Sequence, residues 1–130
     1  MARTRSLLSD IRLLIVEDET LIAILLEDFA AELGCRVCVT STTAEQALLA
    51  IKTFAPQMAL VECALNQSGA EFGVADALDE AAIPFIFTSC QDISVLPSRH
   101  RRRNVLAKPF SVAALKSAIL LIRADQKFQA

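Results

Sequence analysis

The feature that most constrains this chain is an alternation along its length, in which apolar runs of strand length give way to stretches with apolar residues at helical spacing. Residues 11–16 form the first such run, and residues 20–33 then carry a helical pattern that ends at Gly34, a natural C-cap. Residues 36–40 read as a second strand, and residues 44–54 as a helix opened by the hydroxyls of Ser41, Thr42 and Thr43 and stopped by Pro56. Residues 58–61 are the third strand, 66–69 a loop, and 72–82 the next helix. Pro84 leads into a fourth strand at 85–88. Residues 89–104 contain Pro97 and a basic run, so any helix there should be short. A brief fifth strand at 105–107 precedes Pro109. Ser111 then caps a last helix whose core stripe is Val112, Leu115, Ile119 and Ile122. Strands this apolar, separated by helices, predict a doubly wound α/β fold with a parallel sheet covered on both faces and right-handed crossovers.

A chain of 130 residues without an internal Pro/Gly-rich linker reads as one domain with its own core. We divide it into an N-terminal extension (1–10), a domain (11–124) and a C-terminal tail (125–130). Acidic residues interrupt every long apolar run, so no stretch of about 20 apolar residues could span a membrane, and a cytoplasmic location is expected. A net charge of −2 argues against nucleic acid as the main partner. The local exception is Arg99-His100-Arg101-Arg102-Arg103, which reads first as a solvated loop tip and second as a docking patch for an acidic partner. Leu120 and Leu121 widen the last helix's apolar arc, by Ala-rich packing or as an exposed edge for self-association or partner docking. The last helix and the basic loop are expected on the face opposite the helix that follows strand one. Cys35 and Cys38 have C-x-x-C spacing, but on a strand positions i and i+3 point to opposite faces. The four cysteines are therefore expected to be small buried hydrophobes.

In a doubly wound sheet a site lies outside the carboxyl ends of the strands. Here those ends carry Glu17-Asp18, Glu62, Thr88-Ser89 and Lys108-Pro109, so three carboxylates, a hydroxyl and an ammonium converge on one rim. This pattern resembles the receiver domains of response regulators over residues 11–123. Val16-Glu17-Asp18-Glu19 is similar to that family's acidic pair, Ser89 to its switch hydroxyl (with Thr88 as the alternative), and Lys108-Pro109-Phe110 to its lysine motif. Residues 74–78 and 83–87 resemble the subgroup whose fourth strand ends Phe-Ala-Thr-Gly-x-Tyr, although this chain reads Phe87-Thr88-Ser89-Cys90-Gln91-Asp92 there.

The resemblance implies a flavodoxin-like, CheY-like sheet of order 2-1-3-4-5. It also implies a weakly held Mg²⁺ on Glu17, Asp18, Glu62 and the Ala64 carbonyl, with Lys108 neutralising phosphoryl charge and Pro109 a candidate for a cis peptide. The position of the phosphate-accepting aspartate is held by Glu62, the first polar residue after the only strand-like run between Pro56 and the Asn66 loop. One extra methylene displaces a carboxylate by about 1 Å, and misplacement of that size can cost about 10²-fold in rate. Val105 stands where many receivers carry an aromatic.

The expected function is therefore a stand-alone, non-enzymatic signalling module of a bacterial two-component system that works by protein contact without ordinary phosphorylation. The alternative is a phosphoryl-accepting regulator served by a histidine kinase in a Mg²⁺-dependent transfer. The expected partner is a histidine kinase or another signalling protein, with a homodimer also open, and Arg101, Arg102 and Leu121 are the candidate contacts. Neither a membrane nor nucleic acid is expected as a partner, since DNA binding would need a further domain. Three glycines, no Trp and no Tyr argue against a flavin carrier, which needs phosphate-cradling loops and stacking rings.

Overall fold

The computed structural model describes residues 7–63, 73–88, 98–100, 105–107 and 109–129. Among these, five strands form one parallel sheet: β1 (Arg12–Val16), β2 (Val37–Ser41), β3 (Met58–Glu62), β4 (Phe85–Thr88) and β5 (Val105–Leu106). Their spatial order is β2-β1-β3-β4-β5, the doubly wound arrangement expected. The helices are α1 (Thr20–Glu32), α2 (Ala44–Thr53), α3 (Gly73–Glu80) and α4 (Val112–Gln129), with a 3₁₀ turn at Ser98–His100.

Local chemistry sets the helix ends. Thr43 accepts the Gln46 N–H at 3.1 Å, and the Gln46 side chain accepts the Thr42 N–H at 2.9 Å, so two orphan N–H groups at the start of α2 are satisfied reciprocally. At the end of α1, Gly34 takes φ 94°, its N–H donates to the Ala31 carbonyl at 3.0 Å, and the Cys35 N–H donates to Ala30 at 2.9 Å. Those two bonds define a Schellman cap. The end of α3 repeats them, with Ala82 N–H to Asp79 at 3.0 Å and Ile83 N–H to Leu78 at 2.8 Å, but with alanine in the left-handed position at φ 58°. Ser111 accepts the Ala114 N–H at 3.1 Å and caps α4 as expected.

The sheet divides the core into two layers. Leu14, Val16, Ala59, Val61, Phe85 and Phe87 face α2 and α3. Leu13, Ile15, Leu60, Ile86 and Leu106 face α1 and α4, where they meet Leu26, Ala30, Leu115 and Ile119. The core also reaches ahead of residue 11. Leu8 is fully buried, its N–H donates to the Leu33 carbonyl at 3.0 Å, and the Arg123 guanidinium donates to the Leu7 carbonyl at 2.6 Å. Burying one leucine contributes about 1.5–3 kcal/mol, which is enough to hold this turn in place.

Two sequence expectations are corrected. The last helix lies on the same sheet face as α1 and not opposite it. The connection β1→β2 runs one way along the sheet and the later ones run the other way, so crossovers of one hand put α1 on one face and α2 and α3 on the other. The place beside α1 is then left for α4. The cysteines among the described residues are also not uniformly buried: Cys63 is, but Cys35 is half-buried and Cys38 exposed, and Cys90 lies outside the described residues. Because β2 begins at Val37, Cys35 sits in the cap of α1 and not on the strand, and the alternation argument does not reach it.

Candidate functional site

The carboxyl ends of β1 and β3 lie side by side at the centre of the sheet, with Val16 in register with Val61. Glu62 is the last residue of β3 and Glu17 the first after β1, and both side chains are buried. The Glu17 N–H donates to the Ser41 carbonyl at 3.0 Å, which ties its backbone to the end of β2. Glu19, two residues on, donates its N–H to Glu17 Oε2 at 3.2 Å and immediately precedes α1. Glu17, Glu19 and Glu62 each place a carboxylate oxygen within 4.8 Å of the other two.

The acidic cluster thus contains two of the expected ligands, Glu17 and Glu62, and exchanges the third. Asp18 is exposed and lies outside the cluster, and Glu19 takes its place. The chain bends at Asp18, and across that bend the Glu19 N–H meets the Glu17 carboxylate, which places Glu19 beside the cluster and leaves Asp18 exposed. Octahedral Mg²⁺ has ligand oxygens about 3.0 Å apart in cis and about 4.2 Å apart in trans at a bond length of about 2.1 Å. Three carboxylates within 4.8 Å of one another would need to close by less than about 2 Å per cis pair to hold such an ion, and their oxygens are the donors that it prefers.

Thr88 ends β4 in register with Glu62. It is fully buried, and its hydroxyl has no hydrogen-bond partner among the described residues, so it stands beside the acidic cluster as a polar group without a local structural task. Ser89, Lys108 and the Ala64 carbonyl, the other expected members of the rim, lie outside the described residues, as do Arg101 and Arg102. Pro109 is exposed, and Phe110 is half-buried, its ring packed edge-on against Phe29 of α1 at 6.2 Å. That contact anchors the last residue of the lysine motif to α1. Leu121 is 59% exposed and Leu120 47%, so the widened arc of α4 is an exposed edge.

Sequence reasoning missed His100, which was placed in a solvated loop tip. Its side chain is fully buried, with Nε2 2.7 Å from Asp76 Oδ1 and Nδ1 3.6 Å from Asp79 Oδ2. Its ring meets Phe85 and Phe87 edge-on at 6.2 and 6.0 Å. The signal that could have found it is the pair of aspartates at i and i+3 on α3, which one imidazole can bridge. His100 therefore pins the 3₁₀ turn ahead of β5 to α3.

No family model matches the sequence, and no curated protein matches it. Solved structures do. SdrG from Sphingomonas melonis Fr1 is 34% identical, with a TM-score of 0.74 over 86% of this chain and 95% of that one. A further structure of SdrG holds its BeF3-activated conformation. The signal receiver domain of a modulated diguanylate cyclase from Desulfovibrio desulfuricans G20 is 27% identical, with a TM-score of 0.80 over 92% of this chain and 98% of that one. The REC domain of the response regulator PhyR from Erythrobacter litoralis is 26% identical, with a TM-score of 0.72 over 88% and 90%.

Proposed function

We propose that this chain, which belongs to the receiver-domain family of response regulators, is a signalling module that acts by protein contact and is not phosphorylated in the ordinary way. The observation that carries this reading is Glu62, buried at the end of the central strand β3 and clustered with Glu17 and Glu19. An acceptor carboxylate must meet phosphorus in line and at contact distance, and a side chain longer by one methylene overshoots that position. Glu17, Glu19 and Glu62 would together hold a Mg²⁺, which when bound neutralises charge on the rim and on phosphoryl oxygens. Glu17 and Glu62 supply the buried donors, and Glu19 closes the site from the start of α1. A cytoplasmic histidine kinase or another signalling protein is the expected partner, with the exposed edge of α4 at Leu121 contributing contact.

Replacing Glu62 by aspartate tests this. Glu62→Asp should gain Mg²⁺-dependent labelling by acetyl phosphate and should bind beryllofluoride, while wild type shows neither. Labelling of wild-type protein at Glu62, read by mass spectrometry, would overturn the proposal in favour of a glutamate-accepting regulator.

A further inference from the structure

Helix α2 buries alanine and exposes leucine. Its buried positions are Ala47 and Ala50, with Ile51 half-buried beside them, while Leu49 is 61% exposed and Leu48 37%. Glu45 and Lys52 are exposed as well. These four stand at i, i+3, i+4 and i+7, the spacing of one stripe along a helix. The exposed face therefore reads Glu-Leu-Leu-Lys from the first turn to the last. Two leucines held out over buried alanines form a surface that gains from being covered.

The order of the stripe is self-complementary. Glu45 and Lys52 lie beyond the i+3 and i+4 spacings at which helical pairs meet, and neither has an ion-pair partner among the described residues. A point midway between Leu48 and Leu49 is about 5 Å along the axis from each of the two charged residues. Rotating a second copy by half a turn about that point lays the two helices antiparallel. Glu45 of each copy then stands opposite Lys52 of the other, and Leu48 opposite Leu49. A parallel arrangement would instead set glutamate against glutamate and lysine against lysine. One patch that matches itself in this way is what a two-fold dimer requires.

We propose that α2 is a self-association face, through which two copies of this chain form an antiparallel, two-fold dimer. The leucines make its apolar centre, and the two Glu45–Lys52 pairs close its ends and set its direction. α2 packs on the layer of the core that it shares with α3, whereas α4 packs on the opposite layer. The dimer therefore leaves the exposed edge of α4 at Leu121 open in both copies. A helix of 10 residues from each copy covers less than the roughly 800 Å² a side of a standard interface, so the association is weak and reversible.

Analytical ultracentrifugation of the full chain at low ionic strength, from about 10 μM to about 1 mM, suits an interface of that size. The weight-average mass should climb reversibly from that of one chain toward that of two. Leu49→Asp should weaken association by roughly tenfold or more, while Leu121→Asp on α4, at a similarly exposed position, leaves it unchanged. Glu45→Lys and Lys52→Glu should each weaken it by roughly tenfold, because each turns two attractions into two repulsions. An equimolar mixture of those two variants should regain association, since their stripes are then opposite in charge. The mixture compares the same two chains apart and together, so it holds even where one variant is less stable. A chain that stays monomeric at about 1 mM would overturn the proposal. So would a dimer that is lost in Leu121→Asp and kept in Leu49→Asp, or a mixture that associates no better than its components.

Discussion

Replacing His100 by alanine should destabilise the fold by about 3–4 kcal/mol, more than any surface substitution would. The ring is fully buried and makes edge contacts with Phe85 and Phe87. Removing a buried aromatic side chain costs about 3–5 kcal/mol, and a ring smaller than phenylalanine's falls at the lower end. The bond to Asp76 adds less. A hydrogen bond to a charged group contributes about 1.5–3 kcal/mol, but Asp76 is 43% exposed, so water recovers part of that when the imidazole is gone. His100→Phe separates the two contributions. It keeps the ring between Phe85 and Phe87 and loses only the bridge to α3, so its cost should be near 1 kcal/mol. Urea unfolding followed by circular dichroism would measure both. With a slope of about 1–3 kcal/mol per molar, the alanine variant should lower the midpoint by more than about 1 M. A midpoint within error of wild type would return His100 to the solvated loop. Equal losses in the two variants would assign the stability to the hydrogen bond with Asp76 and not to packing.

Two further outcomes are expected. Glu19→Ala should weaken Mn²⁺ binding, followed by paramagnetic broadening, by roughly tenfold or more, while Asp18→Ala leaves it nearly unchanged; the reverse ranking would reinstate Asp18 as a ligand. Ala82→Gly should stabilise the protein by about 0.5–1 kcal/mol in thermal melts, because it relieves a left-handed backbone position at φ 58°. No gain there would mean that the extra freedom of glycine in the unfolded chain cancels the relief.

The sheet was legible because its strands are buried on both faces, so each is a short apolar run with sharp polar ends. β4 matches its expected span, and the other strands differ by a residue or so at an end. The rim was legible for the same reason: the first polar residue after an apolar strand marks the strand's carboxyl end, and Glu17 and Glu62 were found that way. What failed depended on direction and not on type. Bringing Glu19 rather than Asp18 beside Glu17 requires knowing that the chain bends at Asp18. Placing Cys35 off the strand requires knowing that the Schellman cap holds it. His100 was hidden by its neighbours, since a run of cations is scored as solvated although one member can turn inward onto two aspartates.

The electrostatics of the rim bear on which state Glu62 favours. A glutamate in an acceptor's place can carry its charge outward, where a phosphoryl group would sit, or inward onto the acidic pair. Two carboxylates less than 4.8 Å apart repel by at least about 3.5 kcal/mol at an effective dielectric of about 20. Glu17 and Glu62 are both buried, so water does little to screen them, and a cation is the natural means of offsetting that cost. The cluster is the arrangement that the inward orientation requires, and in that orientation the Glu62 charge would serve metal binding instead of phosphoryl mimicry. On this argument the module would be held in one unswitched state, with Mg²⁺ stabilising the rim and not triggering it. A mimic would behave in the opposite way, because its outward carboxylate would leave the acidic pair and weaken Mg²⁺ binding. Thermal stability that rises with Mg²⁺ in wild type and fails to rise in Glu62→Gln would therefore support the inward state, whereas a wild type indifferent to Mg²⁺ would refute it.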